Sequence, residues 1–146
     1  MKNVHDPIVV EQTYDAPRDS VWRAITEVDR MTEWFFEEIP DFRPEIGFNT
    51  EFNVRAGHKD FLHQWKVTQV QPGEKIAYTW RYQGHPGQSD VKFELQDTDS
   101  GTHLKLTHRG MDSFPTDISE FSCESCTEGW NYFLKERLPV YLNSMG

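Results

Sequence analysis

A chain of 146 residues suits one domain, residues 1–146, with room for a buried core. A net charge of −9 with no Lys/Arg cluster argues against nucleic acid or an anionic membrane as partner. No apolar run reaches the roughly 20 residues of a membrane span and no signal-peptide pattern opens the chain, so the expected setting is the cytoplasm, where thiols stay reduced.

The apolar residues fall in segments, and 14% of the chain is aromatic, with five Trp and ten Phe. "IVVEQTY" is rich in β-branched residues and predicts a strand near 8–14, ended by Pro17. Pro17 suits a first helical position, where its missing N–H costs nothing. Val21, Ile25 and Val28, with Trp22 beside them, then give "PRDSVWRAITEV" one apolar face. "MTEWFFEEI" predicts a short second helix.

From about residue 46 the period becomes two. Strands are expected near 48–55, 61–70, 75–82, 89–96 and 102–109. Their inward residues are Phe48, Phe52 and Val54; then Phe61, His63, Trp65 and Val67; then Ile76, Tyr78, Trp80 and Tyr82. Val91, Phe93 and Leu95 follow, and last Thr102, Leu104, Leu106 and His108. The turn-rich segments "QPGE", "QGHPGQ" and "DTDSG" separate them, which describes an antiparallel meander with one face buried. A long helix is expected over about 117–142, opened by a capping-box-like pair, Asp117 and Glu120. Its apolar stripe is Cys126, Trp130, Phe133/Leu134, Leu138 and Tyr141/Leu142, and Pro139 removes one of its hydrogen bonds.

This element order predicts an α+β layer arrangement. Large aromatics on both the sheet face and the helix stripe point to a ligand cavity between the layers. Its expected lining from the sheet is Phe52, His63, Trp65, Tyr78, Trp80 and His108. From the helices and loops it is Trp34, Phe114, Cys126 and Trp130.

Cys123 and Cys126 have Cys-x-x-Cys spacing. A zinc site needs four ligands, and the histidines supply no i, i+4 helical pair, so no metal is expected. Glu120, Glu124 and Glu128 surround the thiols, and negative neighbours raise a thiol pKa, which opposes redox or nucleophilic chemistry. The pair is read as structural, and no cofactor is expected.

The stretch "YDAPRDSVWRAITEVDRMTEWF" resembles the opening of the activator of heat-shock-protein ATPase-like family. Tyr14, Ala16-Pro17, Val21-Trp22, Ala24-Ile25-Thr26 and Trp34 carry the resemblance. "EGWNYFLKERLPVYL" resembles the family's C-terminal helix, and "YTWRY", "VKFEL" and "LKLTHRGM" its central strands. The resemblance implies the helix-grip fold of the SRPBCC, or START-like, superfamily: a curved antiparallel sheet around a long C-terminal helix. It implies a range of roles, since such proteins bind lipids, cyclise polyketides, sequester toxic small molecules or contact a chaperone. No catalytic motif is common to them, so none is carried over.

The function expected is binding of a small hydrophobic or aromatic molecule between sheet and helix. One alternative is a cyclase-like or hydrolytic enzyme using His63 or His108, the inward-phased groups that titrate near neutrality when unperturbed. Another is a chaperone-ATPase activator-like contact; the chain has no room for the extra N-terminal domain of the eukaryotic activators.

Overall fold

The structure, a computed structural model, describes residues 7–56, 59–110, 113–115, 118 and 123–145. Six strands form one sheet: β1 Ile8–Tyr14, β2 Asn49–Ala56, β3 Lys59–Gln71, β4 Lys75–Tyr82, β5 Ser89–Asp97 and β6 Thr102–Arg109. Helices α1 Arg18–Thr26 and α2 Val28–Trp34 lie between β1 and β2 in the chain. The C-terminal helix runs as α3 Cys123–Asn131, a π-helical stretch Tyr132–Arg137, and α4 Leu138–Met145. The expected start near 117, with Asp117 and Glu120, lies outside the described residues.

The strand order is β1-β6-β5-β4-β3-β2, with every pair antiparallel. β2 to β6 form the expected meander. β1 joins at the far side, pairing from Ile8↔His108 to Tyr14↔Thr102. This is the α+β helix-grip arrangement.

Alternation along the strands makes the inner face. Phe61, His63, Trp65 and Val67 are buried, as are Ile76, Tyr78, Trp80 and Tyr82, while their strand neighbours are half-buried or exposed. The register sets Trp65 opposite Trp80 and His63 opposite Tyr82. Their ring centroids lie 5.0 and 4.8 Å apart, and such cross-strand pairs each contribute about 0.2–1 kcal/mol. Pro72 and Gly73 turn β3 into β4. Glu74 N–H donates to the Gln71 carbonyl at 2.9 Å, and Gly73 takes φ +77°, the left-handed region a type II turn reserves for glycine. The register slips between Val67 and Gln69, a bulge that the plain alternation of the sequence conceals and that sharpens the local twist.

The helix stripe answers the sheet. Trp130, Leu134, Leu138 and Leu142 are all buried. A stripe repeating every four residues outruns a turn of 3.6 residues. The wider i→i+5 turn of Tyr132–Arg137 absorbs the excess and keeps the stripe on the sheet.

Two helix boundaries differ from expectation. The first helix stops at Thr26, because Glu27 is extended (φ −99°, ψ 124°). The Glu27 carboxylate accepts from Arg23 Nε at 3.1 Å and Arg30 Nε at 2.7 Å, clamping the corner between α1 and α2. Desolvation pushes that carboxyl up, but the two arginines outweigh it and hold it below the usual range. Val28 therefore opens α2 instead of closing α1. The second helix ends at Trp34 and not at Ile39, so Phe35 and Phe36 leave the helix.

Candidate functional site

A cavity of about 240 Å³ opens between the sheet and the C-terminal helix. From the sheet it is walled by Val54, Phe61, His63, Trp80, Tyr82 and His108. From the helix it is walled by Ser125, Cys126, Gly129, Trp130 and Phe133, and the segment after α2 adds Phe35 and Phe36. Wider hollows of about 740 and 720 Å³ lie on the outer face of the sheet, among polar side chains such as Gln64, Lys66 and Arg81, or Glu94, His103 and Lys105. They are dips between solvated side chains. Unlike these two hollows, the inner cavity combines ring walls with buried polar groups, which is what a small-molecule site requires.

Five of the ten expected residues line it: His63, Trp80, His108, Cys126 and Trp130. The other five are placed elsewhere. Trp34 is fully buried, donates its indole N–H to the Ala24 carbonyl at 2.8 Å, and stacks on Phe35 at 4.9 Å. Trp65 and Tyr78 sit deeper in the core, where Phe42 covers both with edge-on contacts at 6.2 and 5.6 Å. Phe52 stacks on the His63 ring at 5.2 Å without reaching the cavity wall. Phe114 packs against Tyr82 at 5.4 Å. The side chain of Cys123 lies outside the described residues, so the cysteine pair is seen only through Cys126, whose side chain is half-buried.

Phase reasoning misses Phe35 and Phe36, which a helix over 31–39 would have sent to different faces. It also leaves Phe133 out of the expected lining and passes over Gly129. The helix stripe treats Phe133 and Leu134 as equivalent, yet Leu134 enters the core and Phe133 the cavity. Gly129 offers no side chain to read. A Cβ built there meets no atom within 4 Å.

The two buried histidines do different things. Trp130 Nε1–H donates to His108 Nδ1 at 3.0 Å. Ser89 Oγ donates to the Trp80 carbonyl at 3.1 Å, so its contact with His108 Nε2 at 2.8 Å is accepted from an Nε2–H. Both ring nitrogens of His108 are thus engaged and its tautomer is set. Burial lowers its pKa to about 3, which keeps the ring neutral. His108 tethers the helix to β6 through Trp130.

His63 uses one nitrogen only. Its Nδ1 lies 3.0 Å from the Phe61 carbonyl, an acceptor, so Nδ1 carries the proton. Among the described residues Nε2 has no hydrogen-bond partner, and it is not sealed off by packing. Burial lowers the His63 pKa to about 4 despite that carbonyl, so Nε2 presents a lone pair at neutral pH. Burial also pushes the Tyr82 phenol up, and the nearby Cys126 adds to this while the Trp80 indole opposes it; Tyr82 stays protonated. Trp65 Nε1, Trp80 Nε1 and the Tyr78 hydroxyl are buried without a hydrogen bond of good geometry among the described residues. His103 faces outward, as its odd spacing from His108 predicts, and lies 2.9 Å from Glu11 Oε1. Among the described residues no three His, Cys, Asp or Glu converge as a metal site would need.

A sheet that grips a helix across a ring-lined cavity defines a START-like helix-grip protein. The chain belongs to the Activator of Hsp90 ATPase homolog 1-like family, whose profile matches residues 15–143. Among solved structures it is similar to MLL2253 of Mesorhizobium loti, at 28% identity over 96% of this chain and 98% of that one, TM-score 0.78. It is also similar to CalU16 of Micromonospora echinospora, at 27% identity over 95% and 77%, TM-score 0.69. CV1439 of Chromobacterium violaceum shares the fold at 23% identity over 94% and 96%, TM-score 0.78. No curated protein matches the chain. No described helix is long and apolar enough to cross a membrane.

Proposed function

We propose that this protein binds a small hydrophobic or aromatic molecule in the cavity between its sheet and C-terminal helix, acting in the cytoplasm. The observation that carries this reading is the wall itself. Rings from three strands, from the segment after α2 and from the C-terminal helix converge on one void of about 240 Å³. Such rings offer flat contact surface at low entropic cost. The volume lies just under the range of about 300–1,000 Å³ typical of drug-sized ligands, which favours a compact one.

The histidine chemistry supports binding over catalysis. A general base works best with a pKa near the operating pH. His108 has both nitrogens engaged, and His63, lowered to about 4, is a weak base at pH 7. The chaperone-activator reading rests on the family alone.

The test is a thermal-shift and calorimetric screen of small arenes against the wild-type protein and Gly129→Phe, which fills the void from the helix side. Arenes should stabilise the wild type in a concentration-dependent way and leave the variant's melting temperature unmoved. No stabilisation by any arene, or equal stabilisation of both proteins, would remove the cavity as a ligand site.

A further inference from the structure

We propose that His63 Nε2 is the hydrogen-bond acceptor of the cavity and selects neutral arenes that carry a hydroxyl group. The proposal rests on the cavity being the ligand site. Four features lead to it. His63 is 5% exposed and its Nδ1 is turned to the Phe61 carbonyl. Nε2 is left without a partner among the described residues, in a residue that lines the cavity. Rings pack about the imidazole: Phe36 at 5.3 Å, Trp80 at 5.4 Å and Tyr82 at 4.8 Å between centroids, with Phe52 stacked on it at 5.2 Å. No charged side chain lines the cavity among the described residues.

Each feature restricts the ligand. The Phe61 carbonyl ties the tautomer, so a ligand offering only an acceptor meets lone pair against lone pair. Turning the proton round would break the Nδ1 bond. A carboxylate or phenolate would lose its hydration with no cation to replace it, inside a chain of net charge −9. A hydroxyl on a neutral ring donates to Nε2 and leaves the ring against the aromatic walls. A ligand lacking the donor leaves the acceptor unpaired, and a site built this way discriminates against it.

The experiment compares 2-naphthol, 2-methoxynaphthalene and naphthalene by isothermal titration calorimetry at pH 7. The ether is more apolar than the naphthol, so transfer from water alone would favour the ether. The expected order puts 2-naphthol about tenfold or more ahead of both others. In His63→Phe, 2-naphthol should fall to the level of naphthalene, with naphthalene retained. Equal binding of naphthol and ether by the wild type would overturn the role of His63 and leave the cavity reading standing. A naphthol preference that survives in His63→Phe would do the same. Binding of none of the three would overturn both. If His63→Phe fails to fold, the wild-type series decides, together with the imidazole nitrogen NMR shifts of His63. The free protein should show the Nδ1–H tautomer, with Nε2 moving on addition of 2-naphthol and not of naphthalene. An Nε2–H tautomer in the free protein would overturn the proposal.

Discussion

The Tyr14 hydroxyl, at the end of β1, donates a hydrogen bond to the carbonyl of Leu134 in the π-helical stretch. The need for it can be traced along the helix. Leu138 N–H donates to the Phe133 carbonyl, the i→i+5 pattern. Leu134 would then look to residue 139, but Pro139 has no N–H. The carbonyl left over is the one Tyr14 reaches. Burial pushes the Tyr14 phenol up, which keeps it a donor across the working pH range. One proline, one π turn and one tyrosine from the opposite end of the chain thus form a single device that fixes the helix against β1.

Tyr14→Phe should therefore leave the Leu134 carbonyl buried and unpaired, at a cost of about 1–3 kcal/mol. Pro139→Ala supplies the missing N–H. In that background the same Tyr14→Phe change should cost much less. A double-mutant cycle by urea denaturation measures the difference; additive effects would show that Pro139 is not the reason Tyr14 is needed.

Acid should weaken the fold through His63 and His108. An unfolded histidine titrates near 6.5, whereas burial lowers these two to about 4 and about 3. Protons bind the unfolded chain first. The stability that the neutral rings represent is complete above pH 6.5 and is lost as pH falls from 6.5 towards 4 and 3. Each contributes a slope of about 1.4 kcal/mol per pH unit in that window. Denaturant midpoints between pH 6.5 and 5, above the range of unfolded carboxylates, should fall more steeply for wild type than for His63→Phe. Parallel slopes would mean that His63 takes up its proton in the folded protein as it does in the unfolded chain.

Gly129 lies inside α3 with open space where its Cβ would be. Glycine in a helix interior costs roughly 0.5–1 kcal/mol relative to alanine. Gly129→Ala should accordingly stabilise the protein by about that amount and keep arene binding. Gly129→Phe should stay folded yet lose binding at least tenfold. A destabilised Gly129→Ala would show that the space is not available in solution.

The fold was legible because the strands alternate cleanly over a face of β-branched and aromatic residues. The site was only half legible, because period-two phase reports which face a residue takes and not how deep it lies. His63, Trp65, Tyr78 and Trp80 share one phase. Phe42, from the irregular segment before β2, covers Trp65 and Tyr78 and leaves the other two to the cavity. Nothing local to β3 or β4 carries that information. Phe35 and Phe36 are hidden by the early end of α2, beyond which the Phe35 ring packs on Trp65 and the Phe36 ring on Phe133. Gly129 contributes by lacking a side chain. The opposite roles of His63 and His108 follow from Phe61, Ser89 and Trp130 taking particular ring nitrogens, a matter of ångströms that spacing cannot express.

Cys126 reports on whether the cavity is filled. Its thiol is half-buried on the cavity wall, a turn before Trp130. A ligand seated against this wall competes for the same space with a reagent such as N-ethylmaleimide. The measurement uses the chain with Cys123→Ser, so that one adduct is counted by mass spectrometry. At ten times its dissociation constant, 2-naphthol should slow labelling about tenfold, since only the ligand-free fraction reacts. The same slowing should occur without ligand in Gly129→Phe combined with Cys123→Ser, where the side chain stands in for the ligand. Labelling unchanged at saturating naphthol, with binding confirmed by calorimetry in the same sample, would put the ligand somewhere other than against Cys126. Labelling slowed by naphthol but not by the phenylalanine would place the ligand on the reagent's route to the thiol and outside the space Gly129 leaves open.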